Sequence, residues 1–283
     1  MTLQIRTALG DGTRRAFTRN GIVLMGVFLL VTVFQAGLVY AVTTTVVPLG
    51  PVATPGAPAA TGPSPGSQLP ALVSLQAAFL ASVAGGVLTV PVRVIVQRVL
   101  VSDRTERIPD EFVFHRLGWA SLNSFVGSWV LSLSFLLVSL LFVGAGFWGL
   151  FRVIDSETSA FLASSQIGWV LLGVLGLVLF LPSVFLGINL LFAGQEIAVQ
   201  DKSFLGAFAE SWRLVRGNRL PLLLLVLIPM VPQAIVSYGM FALLPPLAAQ
   251  VVSLLETTVV TVVVIGIMAR AYVQLKGREN VRI

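Results

Sequence analysis

The sequence predicts an all-α, polytopic integral membrane protein of six transmembrane helices, and three observations carry that expectation. Of its 283 residues, 56% are hydrophobic and 11% charged, with a mean hydropathy of +0.94. Such a chain has too few polar side chains to cover a water-facing globule. It contains six long apolar runs, each sufficient for the roughly 20 helical residues that a bilayer crossing takes. Finally, seventeen of the eighteen Lys and Arg residues fall in the N-terminus, residues 93–117, residues 195–219 and the tail, with Arg152 as the exception. Positively charged connections stay on the cytoplasmic side. Both termini are therefore expected inside the cell, with the protein multi-pass in the cell membrane and a single domain over 1–283.

Taken in order, residues 1–20 carry Arg6, Arg14, Arg15 and Arg19 and read as a short interfacial helix. The TRRAFTR stretch at 13–19 resembles a twin-arginine export signal, but the apolar run after it, 21–45, is longer than a cleaved signal's core. Five further spans follow, so these arginines read as a cytoplasmic charge anchor. Residues 47–70 hold seven of the fifteen prolines and no charge. That composition predicts an extended extracellular loop, with an O-glycosylated stalk as the alternative.

The second span is expected at 71–92, where Ala81, Ala84, Gly85 and Gly86 suit close helix contact. Its trailing arginines are assigned to the next face. Residues 101–117 form a charged segment, the third span covers 118–148, and the fourth covers 167–194 with a kink expected at Pro182. The fifth span, 220–244, holds Pro221, Pro229 and Pro232, which read either as tolerated kinks, the commoner case, or as opening carbonyls to a cavity. A tight LPPL turn then leads to the sixth span, 247–269, and a basic tail.

Between the fourth and fifth spans, residues 201–217 predict an interfacial amphipathic helix. Phe204, Phe208, Trp212 and Val215 fall on one stripe at helical spacing. Asp201 or Ser203 can cap its start, Glu210 can pair with Arg213, and Gly217-Asn218 supplies a left-handed stop. Trp212, Arg213, Arg216 and Arg219 are the expected contacts with the interface and with lipid phosphates. Glu196 and Asp201 are expected to pair with these arginines. Arg19, Arg116 and Arg216 precede the odd-numbered spans at spacings of 97 and 100 residues, which suggests three helical-hairpin repeats around a common core.

Glu256 is the one ionisable residue well inside a predicted span. It reads either as a proton, cation or ligand site or as a protonated acid bonded to Gln250, Ser253, Thr257 or a group across the core. Gln35, Gln76, Asn123, Asn189 and Gln233 are further embedded polar residues, either lining a path or joining helices. The intramembrane polar set is thus Glu256, Gln250, Gln233, Asn189, Asn123 and Gln35. Cysteine is absent and His115 is the only histidine, which removes thiolate nucleophiles and histidine metal sites. The sequence has no Walker loop or HExxH motif; its GPSPG string at 62–66 lies in the proline-rich stretch and its GAGFWG string at 144–149 at the end of an apolar span, so neither stands in the strand-to-helix context of a nucleophile elbow or a dinucleotide fingerprint. No cofactor, metal or enzymatic activity is expected. The positive charge sits beside apolar runs without a recognition motif, so anionic membrane lipids, not nucleic acid, are the expected partners, with a protein partner or a second copy in addition.

The stretch EIAVQDKSFLGAFAESWRLVRGNRLPLLLL at 196–225 resembles a broad group of six-span membrane proteins of unassigned activity. Ser211, Trp212, Leu214, Arg216, Gly217, Asn218 and Arg219 carry the likeness. The Arg-rich, Cys-free style is similar to versions from halophilic archaea, and related arrangements form the membrane portion of glycerophosphodiester phosphodiesterases. The catalytic domain of those enzymes, with its paired histidines and acids, has no counterpart here. The resemblance implies a fold and a location only. Two functions follow from the residues: a non-catalytic membrane scaffold or accessory protein, and alternatively a small-solute or ion transporter built around Glu256.

Overall fold

The computed structural model describes residues 3–46, 71–102, 113–153, 158 and 164–277, all of them helix, turn or short connection. The proline-rich loop at 47–70 and most of the charged segment at 101–117 lie outside the described residues. Ten helices are described: α1 (Ile5–Ala16), α2 (Arg19–Val46), α3 (Ala71–Val101), α4 (Leu117–Ser139), α5 (Ala145–Val153), α6 (Gln166–Asn189), α7 (Ala193–Gln200), α8 (Phe204–Val215), α9 (Arg219–Leu243) and α10 (Pro246–Lys276). A single π-helical turn at Leu140–Gly144 joins α4 to α5.

Six helical stretches are long and apolar enough to cross a membrane: Arg19–Gly37, Val83–Val101, Leu117–Leu150, Gln166–Gln200, Arg219–Met240 and Ala248–Lys276. Each overlaps one of the six apolar runs. Their outer faces carry bare leucines and valines, such as Leu137, Leu140, Val170 and Ile235. Those side chains are placed for hydrocarbon, which is where large apolar groups without protein neighbours are stable.

The spans close a ring in chain order: α2 packs on α3, α3 on α4, α4 on α6, α6 on α9, α9 on α10 and α10 back on α2. Three consecutive hairpins around a common core would produce this order. The direct packing of α3 on α10 across the ring departs from threefold equivalence. Two of the predicted close-contact glycines sit at the seams. A Cβ on Gly85 would meet the Gln35 side chain at 2.8 Å, and one on Gly86 would meet Phe125 at 3.2 Å.

Pro182 lies inside α6, and Pro229 and Pro232 lie inside α9, and both helices run through their prolines. Two predicted spans also stop too early. α3 continues past Val92 to Val101, and α10 continues past Ala269 to Lys276. At about 1.5 Å per residue these extensions add roughly 13 Å and 10 Å of helix at the same end of the bundle. There α3, α7, α10 and α1 build the core, including Val94, Val96, Val99, Leu100, Phe192, Val199, Ile267 and Tyr272.

The first helix joins this end as well. α1 lies along the last turns of α10, and the crossing depends on two glycines. A Cβ at Gly12 would fall 2.4 Å from the Ile267 Cα, and one at Gly266 would fall 2.8 Å from the Gly12 carbonyl oxygen. Only hydrogen fits at either position, which lets the two backbones touch. The approach is held by the Gln274 side chain, which accepts from the Gln4 amide at 3.1 Å, and by Asn218, which accepts from Leu3 at 3.3 Å.

Candidate functional site

The centre of the charged end is α7, a short helix laid between the spans. A turn at Leu190–Phe192 separates it from α6. Ser211 of α8 fixes this turn by donating to the Asn189 carbonyl at 2.9 Å while accepting from the Phe192 amide at 3.1 Å. The geometry places Glu196 in the first turn of α7, where a carboxylate is favoured by the free N–H groups and the helix dipole. Glu196 is 0% exposed.

The chain contains two lysines, and both reach this carboxylate. Lys202 Nζ stands 2.9 Å from one oxygen, and Lys276 Nζ, from the end of α10, is at 2.5 Å from the other. Tyr272, one turn before Lys276, donates its hydroxyl to the same oxygen at 3.0 Å. The chain of charge continues outward: Lys202 lies 3.5 Å from Glu210, which receives Arg213 at 2.5 Å. Burial works against the Lys202 ammonium, but its contact with Glu196 and the charges of Glu196 and Glu210 outweigh that and hold its pKa above the ordinary lysine value. Arg213, bonded to Glu210, holds that carboxyl below its ordinary range despite partial burial, with Lys202 adding to the effect.

A second knot ties the other end of α7. Arg98, 1% exposed, donates to the carbonyls of Ala198, Val113 and His115 and to Asp201 Oδ1 at 2.8 Å. A guanidinium has five donors in a plane and is suited to closing several acceptors at once. The Ala198 carbonyl is among the last of α7, which have no partner inside the helix. Asp201 follows in the left-handed conformation, φ 54°, which aspartate tolerates better than most side chains. His115 Nε2 lies 3.9 Å from Asp201 Oδ2.

These pairings correct one expectation. Glu196 and Asp201 do not reach Arg213, Arg216 or Arg219 in these contacts; the two lysines and Arg98 take those places. The reason is that the ends of α3 and α10 run beside α7 and bring Arg98 and Lys276 to it, while Arg213 is taken by Glu210 and Arg219 by Asn189. Arg219 turns inward, with Nε donating to Asn189 Oδ1 at 3.0 Å and the guanidinium 4.7 Å above the Phe185 ring. Trp212 meets the same ring edge-on at 5.8 Å. Arg213 is exposed and bound to Glu210, and Arg216 is exposed and makes no ion pair among the described residues. Phe204 and Phe208 are half-buried, packed on each other at 6.1 Å and against Gly127 of α4. Ser203 caps α8 by accepting from Gly206, and Gly217, φ 93°, follows its end.

The embedded polar residues are spread around the ring. Thr89 of α3 donates to Gln35 of α2 at 3.1 Å. Asn123 of α4 accepts from the first amide of α8, Phe204, at 3.2 Å. Asn189 holds Arg219 as described. Glu256 of α10 receives the Ser237 hydroxyl of α9 on both oxygens, at 3.1 and 2.9 Å. Gln233 is half-buried on α9, and Gln250 is exposed near the start of α10. The structure therefore does not gather Glu256, Gln250, Gln233, Asn189, Asn123 and Gln35 at one place. Sequence reasoning passed over Arg98, Lys202, Tyr272 and Lys276. The available signal was the extension of helical periodicity beyond both predicted span ends, with a cation on each extension.

The architecture defines a class: an all-α, multi-pass membrane protein whose six spans form a ring, closed at one end by an ion-paired collar. More particularly, the chain belongs to the family described as Domain of unknown function (DUF7847), whose model matches residues 3–275. No curated protein and no solved structure matches the chain.

Proposed function

We propose that this protein is a non-catalytic scaffold or accessory protein of the cell membrane, with both termini and the ion-paired collar on the cytoplasmic side. The observation that supports it best is where the embedded polar groups are used. Gln35, Asn123, Asn189 and Glu256 each join one helix to another, which is the usual employment of such groups inside membranes. The collar, in turn, holds α7 and α8 rigidly and presents Arg213 and Arg216 to whatever lies beneath. Anionic headgroups gain about 1 kcal/mol per cation near such a surface, so lipids or an acidic partner protein are the groups this face would engage. Kinship with the membrane portion of glycerophosphodiester phosphodiesterases, and with haloarchaeal versions, belongs to the same proposal and rests on the Ser211–Arg219 pattern alone.

Orientation is tested first, because the chain has no native cysteine. An impermeant thiol reagent added outside cells should label Ser64→Cys and miss Arg107→Cys; the reverse pattern would invert the collar. Function is tested by extracting the protein in a patch of its own membrane for native mass spectrometry. A partner protein at fixed stoichiometry, lost on Arg216→Glu, supports the scaffold. A second reading, a transporter or permease, is favoured by Glu256, whose carboxylate has a hydroxyl partner and no cation among the described residues. Proton- or ion-coupled uptake in vesicles that disappears in Glu256→Gln would establish that reading instead.

A further inference from the structure

Beside α7 the bundle contains a cavity of about 230 Å³, bounded by α3, α4, α7, α8 and α10 and by the turn before α7. A water needs only ~10–15 Å³ by the same kind of measure, so the space admits a group of several atoms. Most of its wall is apolar, including Val94, Leu131 and Met268. Against that wall stand five polar side chains that the collar contacts do not use, Arg93, Gln97, Ser124, Ser128 and Gln195; of these, Arg93, Ser124 and Gln195 bear on what the space would hold.

Gln195 is 4% exposed, and its Oε1 accepts no hydrogen bond among the described residues; the buried Ser124 hydroxyl likewise has no partner there. Buried acceptors and hydroxyls without partners are unfavourable, and native proteins keep few of them. Arg93 lies in the candidate span Val83–Val101 and pairs with no carboxylate among the described residues. A cation at that depth requires an opposite charge or solvent. Water would hydrate Gln195, Ser124 and the guanidinium, whereas an anionic group would also neutralise the Arg93 charge, which no carboxylate among the described residues does. Arg93 supplies the only formal charge on the lining.

The opening can be located from exposure. Most of the lining is buried or half-buried, whereas Arg93 on α3 and Ser128 on α4 are exposed. The cavity therefore opens sideways between these two spans. Arg93 is five residues before Arg98, about 7.5 Å along the helix from the collar.

We propose that this cavity binds a phosphate ester: the anionic phosphate on Arg93, a hydroxyl or amine donor on Gln195, and the ester's carbon chain against the wall. The inference goes beyond the scaffold reading and does not rest on it. The same chemistry is offered by an anionic phospholipid headgroup entering between α3 and α4 and by a free phosphate ester.

The test is native mass spectrometry on the full chain in nanodiscs holding equal amounts of phosphatidylglycerol and phosphatidylcholine, then released into neutral detergent. The expected result is one phosphatidylglycerol retained per chain, reduced at least tenfold in Arg93→Gln and in Gln195→Leu and unchanged in Arg216→Gln. Ser128→Trp, at the exposed mouth, should also abolish retention without touching a buried charge, which covers a failure of Arg93→Gln to fold. If no lipid is retained but glycerol 3-phosphate raises the melting temperature of the parent and not of Ser128→Trp or Arg93→Gln, the site takes the soluble ester. Retention or protection that is the same in the parent, Arg93→Gln and Ser128→Trp overturns the proposal, as does the absence of both effects in the parent.

Discussion

The two ends of the bundle are held together by different means. At the collar, Glu196 and Arg98 are fully buried and each ties three segments of chain, on top of a continuous apolar core. Toward the other end, the contacts are a few hydroxyl bonds, such as Ser237 to Glu256 and Ser139 to Ser183 at 2.8 Å, and leucine faces turned outward to lipid. The difference shows where specificity resides. In hydrocarbon, apolar contact between helices gains little over contact with lipid; a buried ion with several fixed partners admits one arrangement only.

The largest effect is expected at Glu196. Glu196→Ala removes the carboxylate between Lys202 and Lys276, leaving Lys202 only Glu210 at 3.5 Å, and breaking a buried pair from one side costs about 3–5 kcal/mol. A melting curve in detergent should shift strongly, whereas Glu256→Ala should shift it little; equal shifts would erase the contrast between the ends. Next comes the α1 crossing. Gly12→Leu forces a side chain into the α10 backbone, and overpacking of that kind costs about 1–3 kcal/mol. Limited proteolysis should then cut near α1 with the six spans intact, and an unchanged digestion pattern would show that α1 is not docked.

A pH series sharpens the same comparison. Glu210 is held below its ordinary carboxylate range, so its contribution is present above that range and is lost as the pH falls through the lowered value. Lys202 is held above the ordinary lysine value, so its contribution is complete below that value and is lost as the pH rises through the raised one. Hydrogen exchange in α8 should therefore stay slow between the two limits and accelerate outside them, while α9 should respond to neither. The smallest effect is Glu256→Gln, which exchanges one hydroxyl acceptor for another; a change on the order of 0.6 kcal/mol is expected from denaturant unfolding.

The spans were legible because a bilayer demands length and apolarity, and both can be counted along a sequence. α8 was legible for the same kind of reason: its cap at Ser203, its Glu210–Arg213 pair and its Gly217 stop are all local. The collar was not, because its partners are remote. Lys276 meets a carboxylate 80 residues away, and Asp201 meets an arginine 103 residues away. Arg98 is bonded mostly to backbone carbonyls, which every sequence possesses and none displays. A charged residue at the end of an apolar run was read as the end of the span, whereas the fold continues the helix and buries Arg98 and Arg270 along it. Pro182, Pro229 and Pro232 lie inside continuous helices, as neighbouring helices can hold a transmembrane helix through a missing amide bond.

The convergence of both lysines on Glu196 has a consequence for reactivity. A lysine is acylated, methylated or conjugated through its neutral amine, and this chain offers only Lys202 and Lys276 for such chemistry. Lys202 is kept protonated by its neighbours, and Lys276 is 11% exposed. Amine-directed reagents and lysine-modifying enzymes should thus find almost no nucleophile on the folded helices, so that acquired lysine reactivity reports that the collar has come apart.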